Sequence, residues 1–382
     1  MPTVKQELPA EIGQALWHNY KDKIKVNEPS FKNGTQWELT SQDWVGYIPL
    51  TRQFHFSLQP KVPLISLFGM LEYAYQLKSF HFLKGLMACS SLPEFYEQLA
   101  QVLAKRVLGR ARQGFYRGYL PQAEELPYLR GRMEISPIHP RPGQVNLYCH
   151  YEEQTADIAD NQILAWTLYN LARSGWCTER VLPTIRQAYH ALHGLVTLTP
   201  YQAADCLGRA YHRLNEDYWP LHAMCHFFLE QCGPTLTNGD HAMWPFLVDM
   251  HGLYERFVAE WLRQHLPPHL TLKSQERFYL DESGKYYFNI DLVLTDLNTG
   301  ETRYILDTKY KLPDAGKSAD IEQIVAYAVA KNCEQAVLVY PMPLAEPLAV
   351  RVGNVSVRSL TFDLTNDLEQ AGQNFLWELG VI

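Results

Sequence analysis

The stretch FNIDLVLTDLNTGETRYILDTKYK, residues 288–311, decides how the chain is read. Its first half alternates, so Asn289 and Asp291 share one face of a strand while Ile290, Leu292 and Leu294 share the other. Asn298-Thr299-Gly300 supplies a tight turn. The return strand runs Tyr304, Ile305, Leu306 into Asp307 and Lys309, which lie two residues apart and therefore on one face. The pattern predicts a hairpin with two carboxylates and an ammonium converging at one end of paired strands. Hard carboxylate oxygens suit Mg²⁺, which prefers oxygen ligands and keeps several of its waters. Such an ion would stabilise charge on a scissile phosphate and acidify a bound water, with Lys309 placed to orient that water. Taken alone, the same three residues also describe a surface salt-bridge cluster on a two-stranded ribbon, because acidic–basic patterns this short recur by chance.

The flanking segments add to the trio. Downstream, ADIEQIVAYAVA (319–330) reads as a helix that carries Asp320, Gln323 and Tyr327 at i, i+3 and i+7, one face. Upstream, HGLYERFVAEWL (251–262) reads as an amphipathic helix in which Leu253, Tyr254, Phe257, Val258, Trp261 and Leu262 surround Glu255, a third acid that could stand near a metal. Ordinary helix packing accounts equally for Gln323 and Tyr327, and an exposed helical acid for Glu255.

Further outward, residues 37–62 are rich in Trp, Tyr, Phe and Val with frequent alternation, which predicts short antiparallel strands. Residues 64–80 and 93–112 carry apolar side chains at helical spacing, and 126–135 and 144–154 read as two further strands around the breaker cluster PIHPRPG. From Asp157 the chain reads as helical for about a hundred residues, including 241–266. From Leu272 the order becomes strand, hairpin, strand, helix, strand, then a later strand and a terminal helix near 367–379: a mixed α/β sheet. The main boundary is placed near Asp157.

Length and composition bound the rest. A chain of 382 residues carries about two or three domains, and 47% apolar with 13% aromatic residues excludes disordered, collagen-like and coiled-coil classes. With 34 Lys and Arg against 41 Asp and Glu, the net charge of −7 lacks the basic balance of an autonomous nucleic-acid binder. Within 101–141, however, Lys105, Arg106, Arg110, Arg112, Arg117, Arg130, Arg132 and Arg141 outnumber three acids, which describes either a solvated helix face with ordinary strand charges or a local contact surface, for a protein partner ahead of DNA. The seven cysteines (Cys89, Cys149, Cys177, Cys206, Cys225, Cys232, Cys333) are odd in number and lack a CxxC pair, which predicts a reduced, cytoplasmic protein. Residues 1–20 lack the order of a signal peptide. The most apolar run, 63–80, is broken by Glu72 and Lys78, so no membrane span is expected. His222, Cys225, His226 and Cys232 have the spacing of zinc ligands, yet Trp219, Leu221, Met224, Phe227 and Phe228 around them describe a buried core helix, the preferred reading.

With Asp291, then Asp307-Thr308-Lys309, then Gln323 and Tyr327 four residues apart, the chain resembles the PD-(D/E)xK nuclease superfamily and the QxxxY helix of its RecB-like branch. More narrowly, FSLQPKVPLISLFGMLEYAYQL, GFYRGYLPQAEELPYLRGRMEIS, EEQTADIADNQILAWTLYNL, LVDMHGLYERFV and the NIDLVL…YILDTKYK hairpin resemble the McrC family, over residues from about 37 to 340. Ile290 departs from the superfamily, whose usual residue there is Pro; that position is not a ligand.

The resemblance implies an α+β multidomain chain. It would have an N-terminal β-rich domain (1–156) that binds a partner, then a helical segment and a restriction-endonuclease-like domain (157–382, core about 245–345). It implies catalytic Asp291, Asp307, Lys309, Gln323 and Tyr327, with Mg²⁺ (or Mn²⁺) on Asp291, Asp307 and the Thr308 backbone carbonyl; Glu255 is a further candidate ligand from the helix reading alone. It implies an AAA+ GTPase partner of McrB type that binds GTP and usually reads 5-methylcytosine, and double-stranded, modified DNA as the target of a restriction system. The chain has no phosphate-binding loop of its own: GKS at 316–318 lacks the required glycine, Lys311 standing in that place. Two alternatives stay open, a non-catalytic activator of a GTPase ring and an autonomous RecB-like nuclease.

Overall fold

The computed structural model of the chain describes residues 3–31, 33–34, 36–49, 55–76, 91–133, 147–231, 246–311, 318–365 and 367–382. Its contacts divide into two compact units, one holding the described residues of 1–92 and 244–382, the other those of 93–233.

The first unit begins with β1 (Thr3–Gln6), α1 (Ala10–Tyr20), β2 (Ile24–Asn27) and β3 (Trp37–Ser41), and the strands pair antiparallel in the order β1-β3-β2. Leu16 and Tyr20 of α1 pack with Ile24, Val26, Trp37, Leu39 and Ile48 into one apolar cluster. β4 (Trp44–Pro49) and β5 (His55–Leu58) form the expected antiparallel pair, and α2 (Leu64–Ala74) the expected helix, with residues 77–80 outside the described residues. Sequence patterning had not marked α1, whose apolar stripe is only Ile12, Leu16 and Tyr20.

The second unit contains α3 (Leu92–Gln113), β6 (Gly118–Leu126), β7 (Arg132–Met133), β8 (Leu147–Thr155), α4 (Ala159–Arg173), α5 (Leu182–Leu192) and α6 (Trp219–Gln231). β8 is an expected strand, but its long partner is β6, and the segment 126–135 contributes only the short β7. Pro121, Glu124 and Glu125 disguise β6; it pairs only with β8, and on such an edge a missing N–H is tolerated. The change of texture near Asp157 is the start of α4, and it falls inside this unit rather than between two. Fully buried Asn161 explains why. Its amide donates to the carbonyls of Tyr116 (2.8 Å) and Ala156 (2.7 Å), and its carbonyl accepts from Tyr218 Oη (2.7 Å), so the strand-rich and helical stretches share a buried polar tie.

The chain then returns to the first unit through β9 (Phe246–Asp249) and α7 (Met250–His265). Residues 246–249, expected as helix, are a strand antiparallel to β4, and buried Phe246, Leu247 and Val248 form a short continuous apolar run of the kind whose period does not separate strand from helix. The pairing depends on Gly46 (φ +142°), where a Cβ would lie 2.0 Å from the Phe246 carbonyl oxygen. Asp249 caps α7, its carboxylate accepting the His251 backbone N–H at 3.0 Å. α7 buries Leu253, Tyr254, Phe257, Val258, Trp261 and Leu262, the apolar stripe read from the sequence.

Then follow β10 (Leu270–Tyr279), β11 (Tyr287–Asp296), β12 (Thr302–Thr308), α8 (Ser318–Ala330), β13 (Gln335–Tyr340), β14 (Ala349–Val352), β15 (Val355–Thr361) and α9 (Leu368–Leu379). Among the described residues they build a mixed six-stranded sheet in the order β10-β11-β12-β13-β15-β14. β12, β13 and β15 run parallel and the outer pairs antiparallel, as the expected C-terminal sheet requires. β13 is buried along nearly its whole length, which explains its unbroken run AVLVY. α8 packs Ile324, Tyr327 and Ala328 with Ile290, Val293, Ile305 and Leu338 of the sheet. α9 approaches α7 so closely that a Cβ on Gly372 would lie 2.1 Å from the Trp261 ring. No described helix is long and apolar enough to cross a membrane.

Candidate active site

Strand register brings the acids together. The β11–β12 ladder ends at the pair Leu292–Leu306, so the next residues along the two strands are Asp291 and Asp307. At that point a side chain continues the pairing. Asp291 Oδ2 accepts from the Thr308 backbone N–H (3.0 Å) and from Thr308 Oγ1 (3.3 Å), which fixes the carboxylate at the end of the ladder. The backbone N–H of Lys309 turns to β13 and donates to the Val339 carbonyl at 2.8 Å.

Asp307 is 1% exposed. Its Oδ2 forms an ion pair with Lys309 Nζ at 2.5 Å, neither oxygen makes a hydrogen bond of good geometry, and Oδ1 has no polar partner at all. A buried carboxylate oxygen left unpaired costs about 1–3 kcal/mol or more, so this acid is held at a cost to stability. Burial first, and then the charge of Asp291, hold the Asp307 carboxyl well above the ordinary aspartate range despite Lys309. For Lys309 burial disfavours the ammonium, but the adjoining Asp307 outweighs it and the pKa stands above the usual lysine value.

The α8 residues continue this arrangement. Lys309 Nζ donates to Gln323 Oε1 (3.2 Å), and Gln323 Nε2 donates to Tyr327 Oη (2.7 Å), so Asp307, Lys309, Gln323 and Tyr327 form one polar chain. Asp320, expected on the same face, is engaged elsewhere: both its oxygens accept from Lys311 Nζ, at 2.8 and 2.9 Å. Glu255 comes from α7. Burial and then Asp291 raise its pKa to about 7, with a smaller contribution from Asp307, so the third acid does feel the other two.

Gln275 of β10 had not been singled out. Its side-chain amide donates to Glu255 Oε1, and its backbone is left-handed, φ +50°, an uncommon state for a non-glycine residue that costs about 1–2 kcal/mol. The flanking pairs, Ser274 with Leu292 and Glu276 with Ile290, set Gln275 opposite Asp291. A glutamine in the strand LKSQERFYL carries no sequence signal; only the fold reveals its partner.

The zinc-like group in α6 is core, as its apolar surroundings indicated. His222 is 1% exposed, its Nε2 lies 3.0 Å from the Asp160 carbonyl oxygen and its Nδ1 2.8 Å from Tyr211 Oη, which leaves no ring nitrogen for a metal. Cys225 is fully buried, His226 lies 3.9 Å from Glu230, and Cys232 falls outside the described residues. Of the basic cluster, Arg110 lies 3.4 Å from Asp217 and Arg130 3.5 Å from Glu153, and Arg141 also lies outside the described residues.

Fold and site together define a mixed α+β protein whose C-terminal sheet carries two opposed carboxylates and a buried lysine at the end of a strand pair. The chain belongs to the family described as McrBC 5-methylcytosine restriction system component, which matches residues 39–341. It is 25% identical over 269 residues, 66% of this chain and 74% of the relative, to the type IV methyl-directed restriction enzyme EcoKMcrBC of Escherichia coli strain K12. In fold it is similar to a chain of the Thermococcus gammatolerans assembly of McrB AAA+ hexamers with bound McrC, with a TM-score of 0.59 and 20% identity over 97% of this chain and 92% of the other.

Proposed function

We propose that the chain is the McrC-type endonuclease subunit of a modification-dependent restriction complex, with a PD-(D/E)xK site that hydrolyses DNA phosphodiesters. The observation that carries this reading is Asp307, a buried carboxylate with one oxygen on Lys309 and the other unpartnered, opposite Asp291. Among the described residues no group of three or more His, Cys, Asp and Glu side chains is arranged to hold an ion on its own. A few carboxylate oxygens and no soft ligand fit Mg²⁺, which is usually held by one or two carboxylates and its own waters; Mn²⁺ would also be accepted. Asp307 and Asp291 with the Thr308 backbone carbonyl would hold it, and Glu255 is a further candidate ligand once the ion is bound.

When bound, the ion supplies charge stabilisation at the scissile phosphate and acidifies a water. The chain's own residues do the rest. Asp307 keeps Lys309 protonated, and Gln323, braced by Tyr327, fixes where the ammonium sits, so that Lys309 orients the attacking water and offsets negative charge on the phosphate. Asp291 is held in register by Thr308, so its carboxylate keeps a fixed position near Asp307, from which the two would share a cation.

The partner in this reading is a McrB-type AAA+ GTPase ring, which binds the GTP and reads the DNA modification, and whose hydrolysis this chain stimulates. The relative with bound McrC supports it. So does the sheet β6-β8-β7, which exposes Tyr119, Leu120, Met133 and Tyr148 beside Tyr128 and Leu129, more apolar surface than a strand pair needs for its own folding. Such a complex would work in the cytoplasm, where its DNA target and GTP are found.

The test is a plasmid assay with Mg²⁺, modified and unmodified DNA, and the wild-type chain or Lys309→Ala, with and without the co-encoded GTPase and GTP. Cutting that requires GTPase, GTP and modification and vanishes in the variant establishes the reading. Cutting by the chain alone points to an autonomous nuclease, and GTPase stimulation without cutting points to a non-catalytic activator.

A further inference from the structure

Glu255 projects from a helix, whereas Asp291 and Asp307 sit on neighbouring strands, so something must set the distance between helix and sheet carboxylates. Gln275 occupies that place. In the β10–β11 ladder it lies between Ser274, paired with Leu292, and Glu276, paired with Ile290, and so falls at the level of Asp291. Its amide donates to Glu255 Oε1, leaving Oε2 of that carboxylate for another partner. The left-handed backbone at Gln275 is a conformation that glycine or asparagine adopts more readily, and the position holds neither.

We propose that Gln275 is a positioning residue that fixes the Glu255 carboxylate toward the Asp291–Asp307 pair through its side-chain amide, which a left-handed backbone carries. The inference rests on the reading of the site as metal-dependent and adds to it a residue that touches neither ion nor DNA. Outer partners of ligating carboxylates typically change metal affinity by about 10- to 100-fold when removed.

The experiment is a Mn²⁺ titration of the full chain, followed by electron paramagnetic resonance at constant pH, together with a thermal melt of each metal-free protein. The wild type binds Mn²⁺ and Asp307→Asn does not. Gln275→Gly weakens binding by about tenfold and melts at or above the wild-type temperature, because glycine relieves the left-handed backbone. Gln275→Asn, which tolerates that backbone but is one methylene shorter, behaves like the glycine variant and serves if the latter fails to fold. Wild-type affinity in either folded variant overturns the role of Gln275 while leaving the metal site standing. A wild-type chain that binds no Mn²⁺ overturns the metal reading and the inference with it.

Discussion

Asp291 Oδ2 accepts the Thr308 backbone N–H at 3.0 Å, so a side chain from β11 replaces the next backbone partner of β12 one step beyond the Leu292–Leu306 pair. This contact gives Asp291 a structural task separable from its charge. Asparagine keeps a carbonyl acceptor for Thr308 but loses the anion, whereas alanine loses both. Asp291→Asn is expected to melt within a degree or two of the wild type, and Asp291→Ala to lose about 1–2 kcal/mol, the cost of a partly buried N–H left unpaired. Both are expected to lose about 10²-fold or more in plasmid cleavage. Equal melting losses in the two variants would show that the charge, not the acceptor, holds the strand end.

Lys309 and Asp307 form a buried pair at 2.5 Å with 9% and 1% side-chain exposure. Removing one partner of such a pair leaves the other charge uncompensated and costs about 3–5 kcal/mol. Lys309→Met is therefore expected to destabilise the metal-free chain, and Asp307→Asn combined with Lys309→Met to recover much of the loss. A double-mutant cycle in denaturant, read at the transition of the unit that contains the sheet, checks this; additive losses would mean that the pair is not coupled.

The hairpin that carries these residues was legible because its chemistry is local. Asp291, Asp307 and Lys309 are placed by alternation and a short turn, and Gln323 and Tyr327 by one helical repeat. Glu255 was legible only as an acid on an apolar helix, since its neighbours Asp291 and Asp307 come from distant sequence. Gln275 was not legible at all, because register across β10 and β11 and a left-handed φ are properties of the assembled sheet. The same division holds for the fold. The β10-to-β13 order followed from strong periodicity, while β9 was read as helix because its buried run has no strand period, and β6 was hidden by Pro121 and two glutamates. The boundary near Asp157 tracked texture, whereas the units are set by contacts such as those of Asn161.

Acidity should act on the metal-free site through Glu255. Its folded pKa of about 7 lies above the ordinary glutamate value of 4.5, so the folded chain holds this proton more tightly than the unfolded chain does. The stabilisation is complete below about pH 4.5 and is lost as pH rises toward about 7. A cation competes for the same oxygens, so Mn²⁺ affinity is expected to fall as pH drops below about 7. Glu255→Gln should make both profiles shallower, with the raised Asp307 carboxyl carrying the remainder; unchanged slopes would place the whole titration at Asp307.

The second unit should respond to acid with the opposite sign. Burial pushes the His222 pKa down to about 4, and both ring nitrogens are engaged in the neutral form, Nε2–H donating to the Asp160 carbonyl and Nδ1 accepting from Tyr211 Oη. The unfolded chain takes up a proton near pH 6.5 while the folded chain refuses it, so stability is complete above that pH and declines as pH falls toward about 4. Thermal melts across this range, with His222→Gln as the comparison, should show a steeper acid loss in the wild type. Parallel curves for the two proteins would mean that His222 is protonated in the fold and that Tyr211 has turned to accept from it.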